Sequence, residues 1–409
     1  MEHNYLTPNF AFAPMIPKHA LGSRVWDIED QEYIDLSGGI AVNALGHCHP
    51  ELVRVLQEQS QKVWHISNIY TSQPAQELAE KLVKNSFADK VFFANSGAEA
   101  NEAALKLARK HAKDHFGGQK NEIIACVNSF HGRTLFTVSV GGQPKYSQDF
   151  APLPAGIRHV PFNDIQALQE AVNENTCAVI MEPIQGESGV LPVQKEYAQA
   201  ARDLCTQFQA ALIFDEVQTG MGRTGRLFAH EHFGVLPDIM TSAKALGCGI
   251  PIGAMLCTQN YAESFTPGSH GSTFGGNLLA CAVGSRAFDL INNPETLRHV
   301  EKQGEALRQK LTALGEKTGV FQQVRGMGLL IGCVLSEKYQ GQAGKLVQLA
   351  LREKLMVLQA GTNVLRLAPS LLLNDEDMNE GLIRLERALN TFQAGHIKHS
   401  SATLGLKER

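Results

Sequence analysis

No charge of one sign dominates this chain. Its 409 residues carry 37 Lys and Arg against 41 Asp and Glu, a formal net charge of -4. Such a balance lacks the basic field that gathers nucleic acid or an anionic membrane surface, and neither is expected as a partner. Long apolar runs are missing as well, and no stretch reaches the roughly 20 residues that span a bilayer. The start, Met-Glu-His-Asn-Tyr-Leu, has no basic region followed by an apolar core, so no secretory leader is expected. Paired cysteine spacings are absent: the eight cysteines stand at 48, 126, 177, 205, 248, 257, 281 and 333, with no Cys-x-x-Cys. Cys126, Cys257 and Cys333 lie in apolar runs, where a thiol packs as a small hydrophobe. That scatter argues against a disulfide framework and for a reducing, cytoplasmic setting. There is no internal repeat and no low-complexity tract.

What is present is an ordinary globular composition, 44% apolar and 19% charged, on a chain too long for one simple core. Apolar runs at 90–94, 123–127, 178–183, 211–215 and 253–257 read as buried strands. Helical patterns at 97–115, 164–174 and 196–209 lie between them. Continuous apolar strands separated by helices predict an α/β fold with a mostly parallel sheet covered on both faces. Beyond about residue 295 the pattern changes to a long polar helix, strands at 327–335 and 364–368, and a helix at 375–393. The expected organisation is a large unit over 51–294 and a smaller α+β unit over 295–393 that also takes in residues 1–50. The polar tail 394–409 is expected to be loose.

Two residues carry the strongest chemical signal. Asp215 ends the apolar run Ala-Leu-Ile-Phe-Asp, where a buried carboxylate is costly unless a cation meets it. Lys244 lies in Thr-Ser-Ala-Lys-Ala-Leu-Gly, among side chains small enough to let a planar ring approach. Pyridoxal 5′-phosphate requires this combination: a lysine for the Schiff base and an acid facing the pyridinium nitrogen. By themselves the pair could equally be a strand-end acid and an unrelated surface lysine.

Other segments add to it. In Asn-Ser-Gly-Ala-Glu (95–99) a strand runs into a helix start, so Ser96 and Glu99 can form a capping box. The same Ser96, Gly97 and Ala98 can also present free amides to a phosphate. Phe130 in Ser-Phe-His-Gly-Arg-Thr can cover a flat ring, with His131 and Arg133 beside it, and Arg133 can grip a carboxylate with two N–H groups. Glu182 and Glu187 flank a turn, Glu187 the freer of the two. Gly220-Met-Gly-Arg-Thr-Gly225 matches a dinucleotide fingerprint, but no helix opens after it and Asp238 comes too early for the ribose acid. His47-Cys48-His49 and His230-Glu-His232 lack the spacing of zinc ligands, and no metal is expected.

Taken together, Asn-Ser-Gly-Ala-Glu-Ala-Asn-Glu, Phe-His-Gly-Arg-Thr, Glu-Pro-Ile-Gln-Gly-Glu, Phe-Asp-Glu-Val-Gln-Thr-Gly, Ser-Ala-Lys-Ala-Leu-Gly and Gly-Ser-Thr-Phe-Gly-Gly-Asn resemble the class III pyridoxal-phosphate-dependent aminotransferases. The resemblance runs from about Pro14 to Leu389 and is nearest to members acting on N-acetylated or N-succinylated ornithine. It implies a fold type I homodimer with shared active sites. Lys244 would be the Schiff-base lysine, Asp215 the pyridinium partner, Gln218 the ligand of the ring hydroxyl and Phe130 the stacking ring. Ser96, Gly97 and Ala98 would hold the phosphate, joined by Ser272 and Thr273 of the other subunit. Arg133, Glu187 and Arg366 would bind substrate, Glu187 pairing with Arg366 until 2-oxoglutarate arrives. The implied reaction moves the δ-amino group of N-acetylornithine to 2-oxoglutarate in arginine biosynthesis. Succinylornithine, free ornithine or succinyldiaminopimelate are the alternative donors, an aminomutase is a further one, and an idle homologue kept for binding is the alternative of another class. Ser188, Cys248 and Leu278 depart from the family pattern, which has Gly, Gly and Pro there; none removes a proposed catalytic group.

Overall fold

Alternation along three neighbouring strands builds the centre of the molecule. In Glu122–Cys126, Thr176–Met181 and Ala211–Asp215, Ile123, Ala125, Ala178, Ile180, Ala211 and Ile213 point to one face. They pack there against Ala104, Leu107 and Ala108 of the helix Gly97–Phe116. Ile124, Cys126, Val179, Met181, Leu212 and Phe214 point to the other, against Leu168 of Ile165–Ala171 and Tyr197, Ala201 and Cys205 of Lys195–Gln207. Period-2 side chains apolar on both faces are what a sheet covered by helices demands.

The computed structural model describes residues 5–404, with side chains through Gly395. Its main sheet has seven strands: Lys90–Ala94, Gly253–Cys257, Ile239–Ser242, Ala211–Asp215, Thr176–Met181, Glu122–Cys126 and Ile157–Val160, in that spatial order. Only Gly253–Cys257 runs against its neighbours; the other pairings are parallel. Its direction follows from the connection before it. Between Ser242 and Gly253 there is a single 3-10 turn, Lys244–Leu246, too little chain for a crossover, so the strand returns alongside the one it left.

A second sheet holds Phe321–Met327, Leu330–Leu335, Val364–Leu367 and Leu358–Ala360, all antiparallel. A third joins Pro17–Leu21, Arg24–Asp27 and Glu32–Asp35 to Leu355–Met356, so the first fifty residues hydrogen-bond to the C-terminal part of the chain. The helix Pro294–Thr318 packs on Phe321–Met327. The closing helix runs Asp375–Leu404, not to 393: the tail expected to be loose continues the helix through Leu404, and residues 405–409 lie outside those described. Residues 394–404 contain no proline, and Gly395 alone does not end the helix. The eight thiols are free, and Cys126, Cys257 and Cys333 are buried. No described helix is long and apolar enough to cross a membrane.

Candidate active site

The carboxyl ends of the parallel strands share one edge of the main sheet, the edge where open α/β sheets place ligands. Ala94 leads to Ser96 and Gly97, Cys126 to Phe130–Arg133, Met181 to Glu182, and Ser242 to Lys244, while Asp215 ends its own strand. They meet in a cavity of about 380 Å³ lined by Ser96, Gly97, Ala98, Phe130, Arg133, Glu187, Asp215, Gln218 and Lys244 among others.

Asp215 is buried, and both of its oxygens accept hydrogen bonds. Asn101 Nδ2 (2.8 Å) and His131 Nδ1 (2.7 Å) donate to Oδ2 and the Val217 amide (3.0 Å) donates to Oδ1, while Thr241 Oγ1, 3.4 Å from Oδ1, gives its one proton to Asn101 Oδ1 (2.8 Å). Donors on both oxygens fix the direction of the carboxylate without a neighbouring Lys or Arg. Burial works against a charged His131, but the bond to Asp215 and the negative charges of Asp215 and Glu182 raise its pKa. Its other nitrogen, Nε2, is buried with no partner.

Lys244 opens a 3-10 turn with φ of +45°, a left-handed conformation that non-glycine residues adopt at a cost and that clusters at functional sites. Burial lowers its amine pKa. Arg366 adds to that, while Glu187, Asp215 and Glu182 oppose it. A neutral amine is thereby favoured, as a nucleophile or base near neutral pH requires.

The helix Gly97–Phe116 begins at the cavity. Ser96 is its N-cap: Oγ accepts from the Glu99 amide (3.2 Å), and Glu99 Oε2 accepts from the Asn95 amide (3.0 Å). Glu99 takes the Asn95 amide rather than that of Ser96, so only half of the expected capping box forms, and the Gly97 and Ala98 amides at the cavity are left without intrahelical acceptors. Only glycine fits at 97, because a Cβ there would lie 2.7 Å from Val217 Cγ1. Phe130 stands edge-on to Tyr146, and the Arg133 guanidinium lies 3.8 Å from the Tyr146 ring centre.

Arg366 reaches in from Val364–Leu367. Nη1 donates to Glu187 Oε1 (2.6 Å), the Gly186 carbonyl (2.9 Å) and Gln218 Oε1 (3.3 Å), while Nε is buried without a partner. Burial pushes the Glu187 carboxyl up, but Arg366, Lys244 and Gln218 outweigh it and hold the pKa below the usual value.

Ser272 and Thr273 do not line this cavity. They line a separate groove on the same chain with His65, Asn68, Tyr70 and Phe274; Asn95 Nδ2 donates to Ser272 Oγ at 3.2 Å across the ridge between them. The fingerprint-like loop serves the fold: Arg223 is fully buried and donates to the carbonyls of Leu329 (3.0 Å) and Pro369 (2.5 Å). His47 bonds Asp35, and His230 bonds Glu216.

Three residues outside the expected site set belong to it: Asn101, not singled out in the sequence, and His131 and Glu182, read there only as neighbours of the site. Asn101 lies four residues after Gly97, one helical turn on the same face, and that spacing was the available signal. The bond from His131 to Asp215 had none, since 84 residues separate them. Glu182 is the third: burial pushes its carboxyl up to about 7, against the pull of His131 and of the Phe130 (2.9 Å) and Gly186 (3.3 Å) amides that donate to it. A carboxyl raised in the folded state gives stability below its unfolded pKa and loses it as pH rises, here between about 4.5 and 7. The loss is on the order of 3 kcal/mol. Glu182→Gln does not titrate, so its stability deficit against wild type should shrink from pH 5 to pH 8. Urea midpoints at the two pH values measure this, and an equal deficit at both would show Glu182 ionised like an exposed acid.

The family model for aminotransferase class-III matches residues 7–389. The chain is 71% identical over 391 residues to a Neisseria meningitidis serogroup B (strain MC58) protein named acetylornithine aminotransferase, covering 96% of this chain and 98% of that one. It is 56% identical to a Pseudomonas aeruginosa protein named succinylornithine transaminase/acetylornithine aminotransferase, over 96% of each. The crystal structure of N-acetylornithine aminotransferase from Stenotrophomonas maltophilia K279a superposes with a TM-score of 0.84 at 43% identity, covering 93% of this chain and 97% of that one.

Proposed function

The chain belongs to the class-III aminotransferases, and from that membership we propose that it moves the δ-amino group of N-acetylornithine to 2-oxoglutarate, giving N-acetylglutamate semialdehyde and glutamate in arginine biosynthesis. The observation that carries this reading is the Glu187–Arg366 pair, 2.6 Å apart in the cavity that holds Lys244. A terminal CH₂–NH₂ donor has no carboxylate at the reacting carbon, whereas glutamate and 2-oxoglutarate do. One site can take both only if an arginine is compensated in the first case and released in the second. Leaving buried Arg366 unpaired would cost about 3 kcal/mol or more. Glu187 pairs with it while the acylornithine is bound and turns away for 2-oxoglutarate. Arg133, exposed at the cavity mouth, holds the far carboxylate of either substrate.

The residues present fit pyridoxal 5′-phosphate by their chemistry: one lysine, one buried carboxylate oriented by its donors with an acceptor site left on Oδ1, and a helix start offering free amides. When bound, that cofactor supplies a ring that accepts the electrons released as the substrate carbon loses its proton. Lys244 Nζ would take that proton and return it. Asp215 would face the ring nitrogen. Ser96, Gly97 and Ala98 would hold the phosphate, Phe130 and Val217 would bound the ring space, and Gln218 would meet the ring hydroxyl.

The groove with Ser272 and Thr273 is proposed to serve the cavity of a second copy, so that the working form is a homodimer. Support comes from its rim, where Trp64, Ile69, Tyr70 and Phe274 are all more than half exposed, an apolar patch suited to association. Thr273→Ala should weaken cofactor affinity about tenfold, as loss of a hydrogen bond to a charged group does; unchanged affinity would remove Thr273 from the phosphate site.

The relative of joint name keeps succinylornithine as the second reading for the donor. Turnover with acetylornithine, succinylornithine and ornithine at matched concentrations decides among them. The proposal requires acetylornithine to have the highest kcat/KM; preference for free ornithine would overturn it.

A further inference from the structure

The turn that carries Glu187 is held at four successive residues by groups from four separate places. It closes the short antiparallel pair Ile184–Gln185 and Leu191–Pro192. The Gly186 carbonyl accepts from Arg366 Nη1 (2.9 Å), and the Glu187 carbonyl accepts from the Gly361 amide (2.8 Å). Ser188 Oγ donates to the Asn128 carbonyl, and the Gly189 carbonyl accepts from both Nε (3.0 Å) and Nη2 (2.7 Å) of Arg325. Gly189 has φ of +115°, a conformation that favours glycine, and a Cβ there would lie 2.9 Å from Arg325 Nη2, so a side chain at 189 would push the guanidinium aside.

Arg325 is the unusual member. Its side chain, on the strand Phe321–Met327, is partly desolvated, and among the described residues no carboxylate pairs with it; desolvation is all that moves its pKa, downward. A cation that spends a two-pronged contact on one neutral carbonyl is positioning that carbonyl. Ser188 Oγ ties the same turn to the Asn128 carbonyl from the other side.

We infer that Arg325 and Ser188 are positioning residues for the Glu187 carboxylate, fixing the backbone of its turn so that Glu187 exchanges Arg366 for open space by side-chain rotation alone. This rests on the proposed exchange between Glu187 and Arg366. A fixed backbone returns the carboxylate to within hydrogen-bond reach of Arg366 Nη1 after every cycle; a sagging turn leaves Arg366 uncompensated when the donor lacks a carboxylate at the reacting carbon. Damage from loosening the turn therefore falls on the acylornithine half-reaction and spares the glutamate half-reaction, which uses Arg366 directly.

Single-turnover rates of both half-reactions test this in Arg325→Met, Ser188→Gly, Glu187→Ala and the double variant Glu187→Ala/Arg325→Met. Arg325→Met keeps the stem and removes the fork; Ser188→Gly is the milder change if the first variant folds poorly. Arg325→Met should slow the acylornithine half roughly tenfold and the glutamate half less than about twofold, the scale of a small misplacement of a charged group. Ser188→Gly should shift the ratio in the same direction by less. In the Glu187→Ala background, Arg325→Met should leave the ratio unchanged, because no carboxylate remains to be positioned. Amide exchange at Gly361, whose N–H is bound by the Glu187 carbonyl, should also speed up in both single variants without substrate. Equal losses in both half-reactions, or a ratio that still shifts in the Glu187→Ala background, would overturn the positioning role. If Glu187→Ala alone shows no asymmetry, the exchange itself is wrong and the positioning role falls with it.

Discussion

Lys244→Ala should lose the covalent hold on the cofactor and at least about 10⁴-fold in turnover, since it removes a nucleophile and a proton carrier together. Among the described residues lining the cavity, Lys244 is the one lysine. Its turn explains why a neighbour cannot substitute. Lys244 sits in the left-handed region (φ +45°), directly after the strand Ile239–Ser242, and its carbonyl accepts from the Gly247 (3.1 Å) and Cys248 (3.2 Å) amides. The main chain there is committed to one path, and the side chain is aimed by it. Burial that lowers the amine pKa disappears with the amine, so added alkylamines should restore only a small part of the rate. Visible absorbance of the purified protein with added pyridoxal 5′-phosphate, and borohydride trapping of the bound form, read the linkage. Undiminished trapping in Lys244→Ala would assign the linkage to another lysine.

Asp215→Asn should retain the cofactor and slow proton removal from the substrate roughly 10³-fold, the scale seen when one preorganised charge partner is lost. The change is nearly isosteric, but the surroundings are built for a carboxylate. Asn101 and His131 donate to one oxygen of Asp215 and the Val217 amide to the other, so an amide NH₂ on either side would face a donor. The charge that raises the His131 pKa against burial goes as well, and that pKa should fall. Substrate deuterated at the reacting carbon separates the outcomes: the isotope effect should grow in Asp215→Asn if proton removal becomes limiting. Turnover near that of wild type would leave Asp215 a purely structural acid.

Much of this molecule is legible in one dimension where the signal is local. Ala211–Asp215 reads as a strand because five successive residues are buried there, and Lys90–Ala94 and Gly253–Cys257 fall where their apolar runs predict. The helix from Gly97 is marked by its own cap, since Ser96 and Glu99 are three residues apart and bond each other. Less legible were ends and directions. The Gly253–Cys257 strand looks like its parallel neighbours in composition, and only the short path from Ser242 reverses it. The helix ending at Leu404 outruns the apolar pattern from which its end was read.

The chain alone, then, determines which residues bring chemistry: a lysine among small side chains, an acid at a strand end, amides at a helix start. These are properties of a few adjacent residues, fixed by spacing and side-chain type. Only the tertiary structure decides what each of them faces. Asp215 receives Asn101 from 114 residues away, and Arg366 meets Glu187 across 179. Arg325 grips Gly189 across 136. Such pairings depend on how sheet edges and loops come together, and no local pattern encodes them, because the free energy that selects them is spread over the packed core of the whole chain.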